Sequence, residues 1–194
     1  GTRFEAPPVK VDICIATCRR PQGLMRLLDA LQDMELPQPA PELRIVVVDN
    51  DPEEAARALC SAAASGSRFP LVYRVEKRSG IPQARNAALA VALVGADFAA
   101  FIDDDEVPEP GWLGELLRVQ RETGADAVAG PVIPRFEVAP PRWIERGRLF
   151  ERPRFATGTV LATAYTGNAL VARCSRMSAS PRSRSARVRN GLVG

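Results

Sequence analysis

Three adjacent carboxylates, Asp103, Asp104 and Asp105, with Glu106 behind them, follow directly on the apolar run Phe98 to Ile102. Carboxylates held side by side repel one another. A divalent cation offsets that repulsion and can bridge to diphosphate oxygens. A donor set made only of oxygen favours Mg²⁺ or Mn²⁺. The triplet also reads as a solvated acidic turn that caps the next helix, but its place after a strand favours the metal. A second segment runs from Glu76 to Asn86. Gly80 permits an unusual backbone turn before a helix. The basic pair Lys77 and Arg78, close to a helix N-terminus, suits a phosphate-bearing ligand. Arg85 and Asn86 lie inside that helix, where a structural salt bridge is a serious competing reading for Arg85. A third segment is Ile15 to Pro21. Its Thr17 can hydrogen-bond a base or ribose, and Arg19 can offset diphosphate charge; an ordinary basic turn is the alternative. Asp49 ends another apolar run. It either bonds a base N–H or caps the following helix, and local sequence favours the cap.

Composition removes several other chemistries. The chain of 194 residues has no histidine, so histidine general bases, serine-type triads and the commonest zinc ligand are absent. Cys14 and Cys18 have no second pair with which to close a zinc site, and the four cysteines read as free thiols of a reducing, cytoplasmic compartment. The net charge of +3 is unevenly spread: residues 173–194 carry six Arg and no acid, which leaves 20 Lys and Arg against 23 Asp and Glu in residues 1–172. A slightly acidic body argues against a dedicated nucleic-acid binder. No stretch approaches the roughly 20 apolar residues of a membrane span, and the first residues form no secretory signal.

The elements that must position these residues follow from periodicity. Val9, Val11, Ile13 and Ile15 alternate as a strand, and Pro21 opens a helix with Leu24, Leu27, Leu28 and Leu31 on one face. Ile45 to Val48 is an unbroken apolar run, as in a strand buried on both faces. Pro52, Glu53 and Glu54 predict a helix start. Further strands are expected at Leu71–Val75, Phe98–Ile102 and Ala127–Ala129, with helices from Ile81 and from about Gly111 to Thr123. The alternation predicts an α/β fold with a doubly wound, mostly parallel sheet and ligands beyond the carboxyl ends of its strands. Asp49 and Asp103 both stand at such ends. The expected division is an extension at 1–8, an α/β ligand-binding domain at 9–130, a further, incomplete region at 131–172 and a tail at 173–194. Residues 131–159 read as a loop or short helix over the site, and Val160–Val171 returns to strand character. Of residues 173–190, 11 are Arg or Ser, which predicts a disordered tail.

Taken together, Ala16 to Pro21, Val48-Asp49-Asn50, Gly80 to Asn86, Asp103 to Asp105 and Thr166-Gly167-Asn168 resemble glycosyltransferase family 2, whose members have the Rossmann-like GT-A fold. The resemblance covers roughly residues 9–172 in the correct order. It implies that Thr17, Arg19 and Asp49 contact the nucleotide and that Arg78 lies near the base or diphosphate. It also implies that Gly80, Arg85 and Asp104 complete the donor side, and that Asp103 faces the ribose and shares the metal with Asp105. The implied reaction moves a sugar from a nucleotide diphosphate donor to a saccharide or lipid-linked hydroxyl with inversion. One departure stands out. The family's acidic base belongs after Thr166–Asn168, yet no acidic residue follows Glu151. The catalytic base is therefore unassigned, and the expectation is a chain that binds donor and metal but transfers sugar poorly. Two other readings are weighed: a sugar nucleotidyltransferase, and a non-catalytic nucleotide-binding module whose Arg-rich tail touches nucleic acid or an acidic membrane surface peripherally.

Overall fold

The structure is a computed structural model that describes residues 7–136, 138–147, 150, 153–162, 166–173 and 188–190. The elements are β1 (Lys10–Thr17), α1 (Pro21–Gln32), β2 (Glu42–Asp49), α2 (Arg57–Gly66), β3 (Leu71–Val75), α3 (Ile81–Ala92), β4 (Phe98–Asp103), α4 (Trp112–Thr123), β5 (Ala127–Ala129), α5 (Arg142–Gly147), β6 (Val160–Leu161), β7 (Asn168–Ala172) and β8 (Val188–Asn190). The described strands form one sheet in the order β3-β2-β1-β4-β7-β5-β8-β6. β3, β2, β1 and β4 run parallel to one another, whereas β7 runs antiparallel between β4 and β5. The chain moves outward from β1 to β2 and β3, then returns to place β4 on the other side of β1. The switch point of the sheet thus lies between β1 and β4, where their carboxyl ends leave a crevice. Register sets Ala16 beside Asp103 and Thr17 beside Asp49.

Both faces of this sheet are covered. Val11, Ile13 and Ile15 point to a large core with the leucines of α1 and with Trp112, Leu113, Leu116 and Leu117 of α4. Cys14, Val46, Val48 and Phe101 point the other way, onto Ala84, Ala88 and Ala92 of α3. Alanines on that face let α3 lie close to the sheet. Because β1 is central, its alternating polar positions are buried too. Asp12 is 3% exposed and accepts two hydrogen bonds from Arg44, at 2.9 and 2.5 Å. A buried carboxylate needs such a partner, since stranding one costs roughly 3–5 kcal/mol.

Three expectations change. α2 begins at Arg57 rather than at Pro52, because the Asp49 and Asp51 carboxylates take the N–H groups of Asp51, Glu53 and Ala56 into a turn, with Glu54 at φ 59°. The strand expected across Val160–Val171 is two strands, β6 and β7. Within the stretch expected to be unstructured, Val188–Asn190 pairs parallel with β5, whose edge away from β7 offers free backbone groups to any extended segment. Residues 174–187 and 191–194 of that stretch lie outside the described residues. The short helix expected between Pro131 and Thr159 is α5.

Candidate functional site

A cavity of about 260 Å³ opens at the switch point. Thr17 at the end of β1 and Arg20 beyond it, Asn50 after β2, Arg85 of α3 and Asp103–Asp105 at the end of β4 line it. The three acids therefore share one crevice with Thr17, as the strand ends require.

Each acid is held differently. Asp104 is buried and accepts a 2.7 Å hydrogen bond from the Thr17 hydroxyl. Burial pushes its carboxyl pKa up, against the pull of that hydroxyl and of the Arg20 charge. The Arg20 guanidinium lies 3.6 Å from Asp104 and 2.7 Å from the more exposed Asp105. Arg85 donates to both Asp103 and the Thr166 hydroxyl, and so ties the donor side of the crevice to the segment before β7. Two glycines let the motif sit this close. A Cβ on Gly23 of α1 would lie 2.6 Å from the Asp104 carbonyl oxygen, and one on Gly167 would lie 2.8 Å from Asp103 Oδ2 and 2.9 Å from Glu106 Oε1.

The repulsion among the three acids, which sequence reasoning assigned to a cation, is offset here by Arg20 and Arg85. Among the described residues no three Asp, Glu, Cys or His side chains converge on one point to hold an ion unaided. That still fits Mg²⁺ or Mn²⁺, which commonly take one or two carboxylates and complete their shell with substrate phosphates and water. Asp105, with its side chain 57% exposed at the rim, and Asp103 beside it are the oxygen donors available for that arrangement.

Arg19, Asp49, Arg78 and Gly80 are not among the residues that line the cavity. The Asp49 carboxylate is fully buried and accepts hydrogen bonds from Asp51 N–H at 3.0 Å, Ala56 N–H at 2.9 Å and the Tyr73 hydroxyl at 2.8 Å. Burial, and then the bond to Asp49, raise the Tyr73 phenol above its ordinary pKa. Asp49 thus shapes the turn ahead of α2 rather than capping that helix, which takes no side-chain capping bond. Arg19, at φ 55°, runs outward to Asp51 at 3.2 Å. Arg78 lies against Glu76 through two 2.9 Å bonds, which with the Arg78 backbone N–H pull the Glu76 carboxyl down to about 2. The Thr17 hydroxyl donates to Asp104 at the cavity wall. Asn168, in the segment expected on the acceptor side, is buried: its amide accepts from the Trp112 indole at 2.7 Å and donates to the Pro131 carbonyl at 2.9 Å. Gly80 takes φ 129° and opens α3, as its residue type suggested.

Arg20 and Asn50 also line the cavity; both fall inside motifs named from the sequence, but neither has a role assigned there. Arg20 precedes the proline that opens α1, so it stands at the base of a helix packed against the acidic motif; that adjacency is the available signal. Nothing local gives Asn50 its role, because its side-chain partners lie 26 to 30 residues away.

Comparison with known proteins agrees with this fold. Residues 12–176 match the model of Glycosyl transferase family 2. The chain is 40% identical over 164 residues to the succinoglycan biosynthesis protein ExoM of Rhizobium meliloti (strain 1021), covering 84% of this chain and 52% of that protein. The chain thus spans about half the length of this curated relative. Among solved structures, it resembles S. aureus TarS 1–349 with a TM-score of 0.60 at 16% identity, over 85% of this chain and 47% of that fragment. The same TarS fragment in complex with UDP-GlcNAc aligns with a TM-score of 0.54 at 19% identity, over 69% of this chain and 37% of the other. The mannosyltransferase PcManGT from Pyrobaculum calidifontis, in complex with GDP-Man and Mn²⁺, aligns with a TM-score of 0.52 at 19% identity, over 64% of this chain and 36% of that one.

Proposed function

Since this chain belongs to glycosyl transferase family 2 and carries a GT-A-like, mostly parallel sheet, we propose that its cavity binds a nucleotide diphosphate sugar for transfer, with inversion, to a saccharide or lipid-linked hydroxyl. The observation that carries this reading is the meeting of Thr17, Arg20, Arg85 and Asp103–Asp105 in one crevice at the switch point of the sheet. The relative in succinoglycan biosynthesis points to polysaccharide assembly as the setting. Neighbours solved with UDP-GlcNAc, and with GDP-Man and Mn²⁺, support a nucleotide-sugar donor and a divalent cation.

Asp105 and Asp103 would hold Mg²⁺ or Mn²⁺ together with the donor's phosphates. The cation supplies positive charge that stabilises the departing diphosphate. Arg20 and Arg85 already face the acids and add cationic hydrogen-bond donors to the same wall. Asp104, held by Thr17, keeps the acidic turn in place. Arg19 and Arg78 stand further out, and each would have to leave its carboxylate partner to reach a phosphate. No acidic residue follows Glu151 in the sequence, so no residue is assigned here as the general base that deprotonates the acceptor. No helix among the described residues is long and apolar enough to cross a membrane.

Calorimetry with UDP and with GDP, each with and without Mn²⁺, tests the reading. One diphosphate is expected to bind more tightly with the cation, and Asp105→Ala to remove most of that gain. Equal affinities with and without Mn²⁺ would overturn the site assignment.

A further inference from the structure

We infer that Asn50 is a positioning residue that fixes the α3 wall of the donor pocket; the inference rests on the donor-binding reading above. Asn50 follows β2 directly, and its backbone N–H donates to the Thr17 carbonyl at 2.8 Å, joining the ends of β1 and β2. Its side-chain amide makes three further bonds. Oδ1 accepts from Gly80 N–H at 2.8 Å, and Nδ2 donates to the carbonyls of Glu76 at 2.7 Å and Arg78 at 2.8 Å. An amide has two donors and one acceptor oxygen, so this set uses each kind. The partners also fix its orientation, because a backbone N–H needs the oxygen and two carbonyls need the nitrogen. Neither Asp nor Leu can satisfy all three.

What the amide holds is the turn that launches α3. The Gly80 carbonyl accepts from Gln83 N–H at 3.1 Å and Ala84 N–H at 3.2 Å, so Gly80 is the first hydrogen-bonded residue of the helix. Its φ of 129° is closed to other residue types. Ile81, Ala84 and Arg85 then form the cavity wall, and Arg85 reaches Asp103 and Thr166. The body of α3 is anchored independently, through Ala84, Ala88 and Ala92 on the sheet. Loss of the Asn50 amide therefore loosens the 76–80 turn and the placing of Arg85 without opening the core.

The test uses the full chain with Asn50→Ala and Asn50→Asp. Asp keeps an acceptor for Gly80 N–H but sets a carboxylate oxygen against two carbonyls. Both variants are expected to weaken binding of whichever of UDP and GDP the parent binds with Mn²⁺, by about tenfold or more. Amide exchange should accelerate at Gly80, Gln83 and Ala84 but not in β1 or β2. Leu27→Ala, in the core on the opposite face, is the control: it should lower Tm and leave affinity unchanged. Parent-like affinity in Asn50→Ala, or an equal affinity loss in Leu27→Ala, would overturn the inference while the donor reading stands. Failure of the parent to bind either diphosphate would bring down the donor reading, and the inference with it.

Discussion

Replacing Thr17 by Val separates the role that sequence suggested from the one the structure gives. The Thr17 side chain is 3% exposed, and its hydroxyl donates to Asp104 Oδ2 at 2.7 Å, a length typical of a charge-assisted bond. A hydrogen bond to a charged group is worth roughly 1.5–3 kcal/mol net. Val keeps the shape and exchanges the hydroxyl for a methyl, whose burial returns at most about 0.8 kcal/mol. The expected net loss is about 1–2 kcal/mol. For a chain of this size that lowers Tm by about 2–8 °C. A double-mutant cycle gives the sharper assay. In an Asp104→Ala background the hydroxyl has lost its acceptor, so Thr17→Val should cost almost nothing there. The coupling energy, measured by urea unfolding, should then be about 1–2 kcal/mol. Equal costs in both backgrounds would refute the pairing. A hydroxyl that faces ligand instead predicts unchanged stability and weaker nucleotide binding.

Further predictions concern thiols and acid. Burial pushes the Cys14 thiol up to about 12 and the Cys60 thiol up to about 11, whereas Cys18 is exposed on the cavity wall. Of these three, iodoacetamide at pH 8 should alkylate Cys18 alone in the native protein, and bound nucleotide should slow it; peptide mass mapping reads both effects, and labelling of Cys14 before Cys18 would contradict the packing. Glu76 falls from 4.5 to about 2 in the folded protein, chiefly through its side-chain bonds from Arg78. A carboxyl depressed by folding contributes stability above its unfolded pKa and loses it as pH falls through the folded one. Glu76→Gln should therefore flatten the decline of stability between pH 4.5 and about 2, as followed by circular dichroism; an unchanged acid limb would show that the Arg78 pair is not kept in solution.

The sequence carried the layout of the site because strand and helix periodicity are local. Apolar runs ending at Thr17, Asp49 and Asp103, separated by helices, require parallel strands whose ends meet at one edge, and the structure has them there. The sequence also carried Gly80, since a turn that needs φ 129° admits little else. What a loop side chain does beyond a strand end is decided elsewhere. Arg19 turns out and Arg20 turns in because the backbone between them takes a left-handed step. Asp49 is claimed by Tyr73 and by two N–H groups of the following turn. Asn50 meets a loop 26 to 30 residues away, and Thr17 meets Asp104 across 87 residues. β7 enters the sheet between β4 and β5, antiparallel to both, a pairing that spans residues far apart in the chain. Chain order thus determined which residues gather at the crevice. Only the tertiary structure chose which of them face it, because that depends on partners that spacing along the chain does not bring together.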